Sequence, residues 1–266
     1  MTRRRTFRLV ALMPGLALVV SGLLAACASA APIRLYVSGT LAAVPELAVS
    51  GRQDWSRLTG KPVLFGEYRA EEVRKGWRSE TRRSSGAGMG LAIGTKHLSA
   101  NEETVKARQK LQFRLVAPGV PAATVYCLRA EQGESLVFRR QTENSEGAMR
   151  VREDLELSLA CTAEGDDGNS WSLALDSRDP RFFSGTLTTG EREWRVEPSR
   201  EVASPKAPGG VTRIPAAAGY LFELEGQARG AVELMGTYGV RIDPNLPAGD
   251  RAALAGAMVA LLLIGD

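Results

Sequence analysis

The sequence predicts a mainly β protein: an antiparallel β-barrel, or a barrel-like sandwich, that encloses an apolar C-terminal helix over about residues 247–264. Three observations lead to this fold class. Short runs alternate apolar and polar residues, glycine and aspartate separate the runs, and the end of the chain is apolar on every side. A length of 266 residues is enough for one large domain with its own core. Regular alternation of strands and helices is absent, which disfavours a doubly wound α/β fold.

Period-two alternation places apolar side chains on one face of several predicted strands. The clearest runs are Ile33, Leu35 and Val37; Leu111, Phe113 and Leu115; Leu155, Leu157 and Leu159; and Trp171, Leu173 and Leu175. Turn residues lie between these runs, so neighbouring strands are expected to pair as antiparallel hairpins. Two segments, 69–103 and 198–218, are rich in charge, glycine or proline and are expected to be irregular.

The last part of the chain carries the most detailed prediction. Residues 219–225, 231–235 and 240–242 are expected to form three short strands separated by glycine turns. The following residues 252–264 have no polar side chain, so a helix here must be buried all round. Such a helix is about 20 Å long, too short for a hydrocarbon layer of about 30 Å, which favours a core helix over a membrane span. A barrel wrapped around this helix satisfies both patterns.

The segment Tyr238-Gly-Val-Arg-Ile-Asp-Pro-Asn-Leu246 precedes this apolar run. The arrangement resembles the C-terminus of the tubby-like superfamily, which includes phospholipid scramblases and LURP-one-related proteins. The resemblance implies a short strand, a turn and an apolar helix threaded through a β-barrel. It also implies links to membranes, phosphoinositides or lipid movement. No functional residue of the superfamily aligns with this chain, so the resemblance concerns the fold more than the activity.

The N-terminus has the features of a secretory signal. Four arginines precede an apolar run over residues 9–24, and small residues follow it. The run is shorter than the roughly 20 residues of a membrane-spanning helix and contains Pro14-Gly15, which disfavours a transmembrane anchor. Residues 1–26 are therefore predicted to be a signal peptide. Arg4-Arg5 also resembles part of a twin-arginine export signal, whereas the general export pathway is the default.

Leu24-Ala25-Ala26-Cys27 resembles the lipobox of bacterial lipoprotein precursors, in which the cysteine is lipidated and becomes the mature N-terminus. The resemblance implies a lipid anchor on Cys27, a short tether over 27–32 and a single β-rich domain over 33–266. The alternative is a cut after Ala28-Ser29-Ala30 by ordinary signal peptidase, which would release a soluble protein.

The basic charge of the chain belongs to its signal segment. The formal net charge is +4. Residues 1–26 contain four arginines and no acidic residue, so the remainder has 30 basic and 30 acidic residues. A nucleic-acid-binding domain needs a basic surface, and a neutral mature domain therefore disfavours nucleic acid as a partner.

Two cysteines, Cys127 and Cys161, remain after the predicted anchor. Both lie in strand-like runs, and export places them in an oxidising compartment. That compartment favours a disulfide between them. The alternative is a pair of unpaired thiols in the core.

The densest basic stretch lies between residues 69 and 83, with Trp77 inside it. Its cations are Arg69, Arg74, Lys75, Arg78, Arg82 and Arg83. They are expected either to contact anionic lipid headgroups or an acidic partner, or to belong to an ordinary solvated loop. Three glutamates within the same stretch offset half of the charge.

No pattern of catalytic or metal-binding residues stands out, and no cofactor or metal is expected. His97 is the only histidine, and it lies in a polar segment without a nucleophile motif. The sequence therefore predicts a non-enzymatic structural or binding module of the bacterial cell envelope. The alternatives are a lipid-binding or lipid-handling protein of tubby-like fold and, with least support, a periplasmic hydrolase.

The expected location is the periplasm-facing side of a membrane. The partners would be the membrane itself, reached through the lipid on Cys27, and a lipid or an envelope protein. Many lipoproteins kept at the inner membrane have an aspartate after the lipidated cysteine, and this chain has Ala28. Sorting to the outer membrane is therefore weakly favoured.

Overall fold

The computed structural model describes residues 33–264, apart from 53–60, 85–88, 94–95, 143–144, 166–169, 178, 180–181 and 205–209. For residues 89–102 and 135–155 only the main chain is described. The predicted signal peptide, Cys27 and the tether lie outside the described residues. Residues Ile33–Asp266 form one compact unit.

Sixteen strands and one α-helix make up the described part of the chain, after a short 3-10 helix at Gly39–Ala43. The helix is α1 (Ala248–Ile264), and the strands are β1 (Leu47–Ala48), β2 (Val63–Phe65), β3 (Tyr68–Lys75), β4 (Ser79–Ser84), β5 (Met89–Ile93), β6 (Lys96–Val116), β7 (Ala123–Thr142), β8 (Ser145–Gly165), β9 (Ser170–Ser177), β10 (Ser184–Thr189), β11 (Arg192–Ser199), β12 (Glu201–Ala203), β13 (Val211–Arg213), β14 (Gly219–Leu224), β15 (Gln227–Glu233) and β16 (Gly239–Ile242).

Fourteen of these strands form one antiparallel sheet, in which β4 and β5 pair only with β6. The other twelve curl into a nearly closed barrel. Their order is β1-β16-β15-β14-β11-β10-β9-β8-β7-β6-β3-β2. The two ends of this order meet where Ser50, just after β1, pairs with Leu64 of β2. The N–H of Ser50 donates to the carbonyl of Leu64 at 2.9 Å, and the N–H of Leu64 donates back at 3.0 Å. The predicted mainly β, antiparallel fold class is therefore confirmed.

Helix α1 runs through the barrel and fills it. It contacts β3, β6, β7, β10, β15 and β16, which are distributed around the sheet, and residues 252–264 are all buried. Small residues let the wall come close, since a Cβ on Gly256 would lie only 2.4 Å from Cζ2 of Trp171. The predicted apolar helix is confirmed, and its first helical residue is Ala248.

The barrel strands alternate buried and exposed residues, because one face packs on α1 and the other meets solvent. In β9, Trp171, Leu173 and Leu175 are buried and the residues between them are exposed. Cys127 and Cys161 lie in the same buried core and are direct partners across β7 and β8. Their sulfur atoms are 2.14 Å apart, at disulfide distance. The bond joins two neighbouring strands on the inner face of the barrel.

Three strands continue far beyond the barrel wall. β6, β7 and β8 have 21, 20 and 21 residues, whereas pairing of β8 with its barrel neighbour β9 stops at Leu157. We call the outer part the extension, and it consists of β4, β5 and residues 96–106, 132–142 and 145–156. Eleven residues of β6 reach about 36 Å at about 3.3 Å per residue. All six residues of β4 are exposed, so this strand has solvent on both faces.

The prediction that residues 69–103 are irregular is wrong, because they hold most of β3, all of β4 and β5, and the start of β6. A strand with solvent on both faces has no reason to alternate apolar and polar residues, so it lacks the signal that identifies a half-buried strand. The prediction for 198–218 is wrong in part, since β12 and β13 form a separate two-stranded sheet there.

The predicted first strand over 33–37 is also wrong. Leu35 makes only a single bridge, to Val202. Leu35 and Val37 instead pack against the outer side of the barrel in a small cluster with Ala218 and Ala231. The alternation in this segment therefore reflects packing on the barrel surface rather than membership of the sheet.

Candidate functional site

The six basic residues singled out in the sequence lie on β3, on β4 and in residues 76–78, where the chain bulges but keeps its direction along β6. Three form ion pairs: Arg69–Glu71 and Arg78–Glu131 at 2.6 Å each, and Arg82–Glu80. The ammonium of Lys75 donates to the carbonyl of Leu263 at 2.9 Å. Arg74 and Arg83 are exposed. The stretch is thus divided between ion pairs, a contact with the helix and exposed cations.

Trp77 presents its whole side chain to solvent, with an exposed fraction of 99%. Its neighbours nevertheless hold the main chain in place. The N–H of Gly76 donates to the carbonyl of Lys110 at 2.8 Å, and Nε2 of Gln109 donates to the carbonyl of Gly76 at 3.2 Å. A large apolar ring held outward on a fixed bulge is the informative kind of exposure, because tryptophan is usually buried to a high degree.

A shallow depression lies beside this bulge on the outer face of β3, β6, β7 and β8. Its volume is about 530 Å³, and its lining includes Arg74, Lys110, Tyr126 and Leu128. Tyr126 and Leu128 are 49% and 40% exposed. We call Arg74, Trp77, Lys110, Tyr126 and Leu128 the Trp77 surface. It combines exposed apolar groups with two cations.

Strand pairing brings four of these residues, all except Trp77, to one face. Arg74 is opposite Gln112, and Gln112 is opposite Tyr126. Lys110 is opposite Leu128, and this pair lies two residues along the strands from the Gln112–Tyr126 pair, on the same face. Cross-strand partners share a face of the sheet, so residues from β3, β6 and β7 become neighbours although they are far apart in sequence.

Sequence reasoning missed the part of this surface that lies on β6 and β7. The available signal is the run 125–128, where apolar residues occupy both phases of the alternation. Val125 and Cys127 are buried in the barrel. Tyr126 and Leu128 must therefore face outward, because successive side chains of a strand point to opposite faces.

The C-terminal end of α1 is capped by three basic side chains. The contacts are Arg52 Nε to Leu262 O at 2.7 Å, Lys75 Nζ to Leu263 O at 2.9 Å and Arg129 Nη1 to Ile264 O at 3.1 Å. The last carbonyls of a helix have no partner within the helix, and cations at this end complement its dipole. Lys75 therefore serves the helix rather than an outside partner, which differs from the sequence-based hypothesis for this residue.

Two of these caps are desolvated. The guanidinium of Arg52 is buried and lies 3.7 Å from the centre of the Tyr238 ring. Burial lowers the pKa of the Arg129 guanidinium, and the nearby Glu131 carboxylate opposes this shift. The basic charge at this end of the barrel is thus partly internal and structural.

A small cavity lies at the other end of α1, between its first turn and strands that include β6, β9 and β10. Its volume is about 220 Å³, below the roughly 300–1,000 Å³ of typical ligand pockets. The buried carboxylate of Asp250 accepts hydrogen bonds from Thr189 Oγ1 at 2.9 Å and from Arg192. Nε1 of Trp194 donates to the same threonine oxygen at 3.2 Å. These polar groups are engaged with each other and complement the helix dipole.

The described residues contain no group of three or more His, Cys, Asp or Glu side chains that could hold a metal ion. His97 lies on β6, and its direct strand partners are Ala92 and Gln141. Neither partner is a nucleophile or an acid, so the pairing does not assemble a catalytic triad around this histidine.

Comparison with protein-family models, curated proteins and solved structures finds no match to this chain. Within the described part of the chain, no helix is long and apolar enough to cross a membrane. The geometry of the Trp77 surface is therefore the basis on which a function can be argued.

Proposed function

We propose that this chain is a lipid-anchored, non-enzymatic binding module of the bacterial cell envelope, and that its Trp77 surface docks on anionic lipid headgroups. The observation that carries the proposal is the fully exposed indole of Trp77 on a bulge that hydrogen bonds hold against β6. Arg74 and Lys110 line the depression beside it.

Both components of this surface suit a membrane interface. Tryptophan prefers the headgroup region, because its ring is apolar and its N–H can still find a polar partner. A lysine or arginine near an anionic surface adds about 1 kcal/mol of attraction. The indole of Trp77 and the charges of Arg74 and Lys110 would therefore act together on one face.

The Trp77 surface by itself would bind weakly and reversibly. A single lipid chain also anchors a protein only marginally, and stable attachment takes two signals. A lipid on Cys27 and the Trp77 surface would supply these two signals. The first would keep the domain close to the membrane, and the second would orient the barrel on it.

The alternative of a lipid carrier has less support. Carrying a lipid requires a large apolar cavity, whereas α1 occupies the barrel interior and residues 252–264 are buried against the wall. The cavity beside the first helical turn is only about 220 Å³. Membership of the tubby-like superfamily stays a prediction.

Vesicle sedimentation tests the proposal with the chain that begins at Ile33 and lacks any anchor. It should sediment with vesicles that contain phosphatidylglycerol, less with pure phosphatidylcholine, and less as salt increases. Trp77→Ala should lower the binding constant about tenfold or more, because burying an aromatic side chain is worth about 1.5–3 kcal/mol. Arg74→Ala should weaken binding to the anionic vesicles selectively.

Matched controls lie on β13, whose three residues are all exposed. Val211→Ala removes an exposed apolar side chain and Arg213→Ala removes an exposed cation away from the Trp77 surface. Both variants should bind like the wild type. Equal vesicle binding by Trp77→Ala and the wild type would contradict the proposal.

A further inference from the structure

The extension leaves a long strand edge open. β8 pairs with β7 along its length, but its pairing with β9 begins only at Leu157. Within the described chain, residues 145–156 therefore have a strand partner on one side only. The barrel differs, because the pair formed by Ser50 and Leu64 joins its two ends.

This edge lacks proline and lysine, two of the features that protect open edges. Other charged side chains, bulges and short length also protect such edges. Residues 145–152 carry one acidic and two basic side chains, so only a partner of complementary charge can pair with them. Glu134 faces Asp154 whereas Ser135 faces Arg152, so a bulge at Glu153 ends the regular part. Residues 145–152 remain as a regular edge that another strand can extend.

Main-chain geometry limits how a second copy could pair with this edge. Thr142 and Ser145 flank the two-residue loop of the β7–β8 hairpin. In such a hairpin this pair exchanges both main-chain hydrogen bonds, and bonded pairs then alternate along the ladder. Residues 146, 148, 150 and 152 consequently turn their main-chain groups to the open side. A two-fold antiparallel pairing must then be centred on a residue and not between two residues.

Charge and the number of bonded pairs decide among the remaining registers. Pairings centred on Arg150, Val151 or Arg152 put arginine opposite arginine, which is destabilising. Pairings centred on Ala148 or Met149 instead put Glu146 opposite an arginine of the second copy. Within residues 145–152 the Met149 pairing forms four hydrogen-bonded residue pairs and the Ala148 pairing forms three, which favours the Met149 pairing. It puts Glu146 opposite Arg152 twice by symmetry and sets methionine against methionine at the axis.

We propose that residues 145–152 pair with the same edge of a second copy, in a continuous antiparallel sheet centred on Met149. The second copy is the fitting partner because the edge is complementary to itself in charge. Such a contact is isologous and closes after two chains, so it gives a dimer rather than a fibre. This inference does not depend on membrane binding.

Cysteine cross-linking in the full chain tests the dimer. Met149→Cys should form a disulfide-linked dimer under mild oxidation, since the two residues would face each other at a distance that a disulfide can span. Ala148→Cys is the matched control, because Ala148 would face Arg150 of the second copy. Absence of the Met149→Cys dimer, or equal cross-linking of both variants on a non-reducing gel, would overturn the proposal.

A charge exchange tests the register and guards against misfolded variants. In the Met149→Cys background, Glu146→Arg should abolish the cross-link by creating two arginine pairs. Adding Arg152→Glu should restore it. The β7 partners of these residues are the neutral Gln141 and Ser135, so the exchange leaves the pairing within one chain unaffected. Failure of the double exchange to restore the dimer would also overturn the proposal.

Discussion

The barrel and the extension share β6, β7 and β8 but are held together differently. In the barrel, inward residues such as Leu111, Val125 and Leu159 are buried against the helix-filled core. In the extension, β4 has every residue exposed. The comparison teaches that strand pairing can continue where the core ends, while the hydrophobic contribution to stability stays in the barrel. The two regions should therefore respond differently to mutation.

The largest difference should come from the helix. Leu254 is fully buried in α1, and Leu254→Ala should lower the free energy of unfolding by about 2–5 kcal/mol through lost burial and a cavity. Thr81→Ala on the exposed strand β4 should change it by no more than about 0.5 kcal/mol. Urea unfolding of both variants measures the contrast, and similar effects would mean that the extension shares the core.

The helix caps should give the next largest effect. Arg52→Ala removes a buried donor to the carbonyl of Leu262, which leaves a polar group unsatisfied and should destabilise the protein by about 1–3 kcal/mol. Arg83→Ala on β4 is the matched removal of an exposed cation and should be nearly neutral. Thermal unfolding of the two variants compares a barrel cation with an extension cation, and an equal shift would argue against the capping role.

A buried carboxyl on the outer side of the barrel should give a smaller, pH-dependent effect. Burial raises the pKa of Glu233, and the charge of Glu46 raises it further. A hydrogen bond from the N–H of Leu35 and the positive charges of Arg34 and Arg241 lower this pKa, but burial is the largest effect. An acid with a raised folded pKa contributes stability below its unfolded pKa that is lost as pH rises through the folded pKa.

Glu233→Gln keeps an acceptor for the N–H of Leu35, which donates to Oε2 at 3.2 Å. It should be more stable than the wild type at neutral pH and should flatten the loss of stability between acidic and neutral pH. Unfolding curves across that range check the prediction, and an unchanged pH profile would show that Glu233 is ionised at little cost.

Shortening the extension should have the smallest effect on stability. Replacing residues 136–151 by Asn-Gly leaves the paired residues Ser135 and Arg152 to flank a two-residue turn. The free energy of unfolding should change by less than about 1 kcal/mol, because barrel core residues such as Leu111, Val125 and Leu159 are kept. The same variant should lose the dimer. A large drop in the unfolding temperature would instead show that the extension and the barrel unfold as one cooperative unit.

Sequence patterns predicted the parts of the fold that depend on burial. The alternation of Trp171, Leu173 and Leu175 and the apolar residues 252–264 were sufficient, because a core imposes a period of two on strands and removes polar residues from an enclosed helix. The same logic failed for β4, where solvent on both faces leaves no period. It also misplaced 33–37, which alternates because it packs on the barrel surface.

The candidate site was predictable only in part. The basic stretch and Trp77 are visible in sequence, but whether a cation is exposed depends on what lies opposite it. Lys75 reaches the carbonyl of Leu263 and Arg78 reaches Glu131, and both partners are more than 50 residues away along the chain. Local spacing carries no information on such contacts.

The sequence by itself determined the strand-rich character of this protein, its apolar helix and the two cysteines available for a disulfide, because each follows from residue type and short-range period. Only the tertiary structure decided that the helix fills the barrel, that Trp77 faces solvent next to the depression lined by Arg74 and Lys110, and that part of β8 has a single strand partner among the described residues. These features arise from the pairing of distant strands, which sets the neighbours of a side chain independently of its own sequence surroundings.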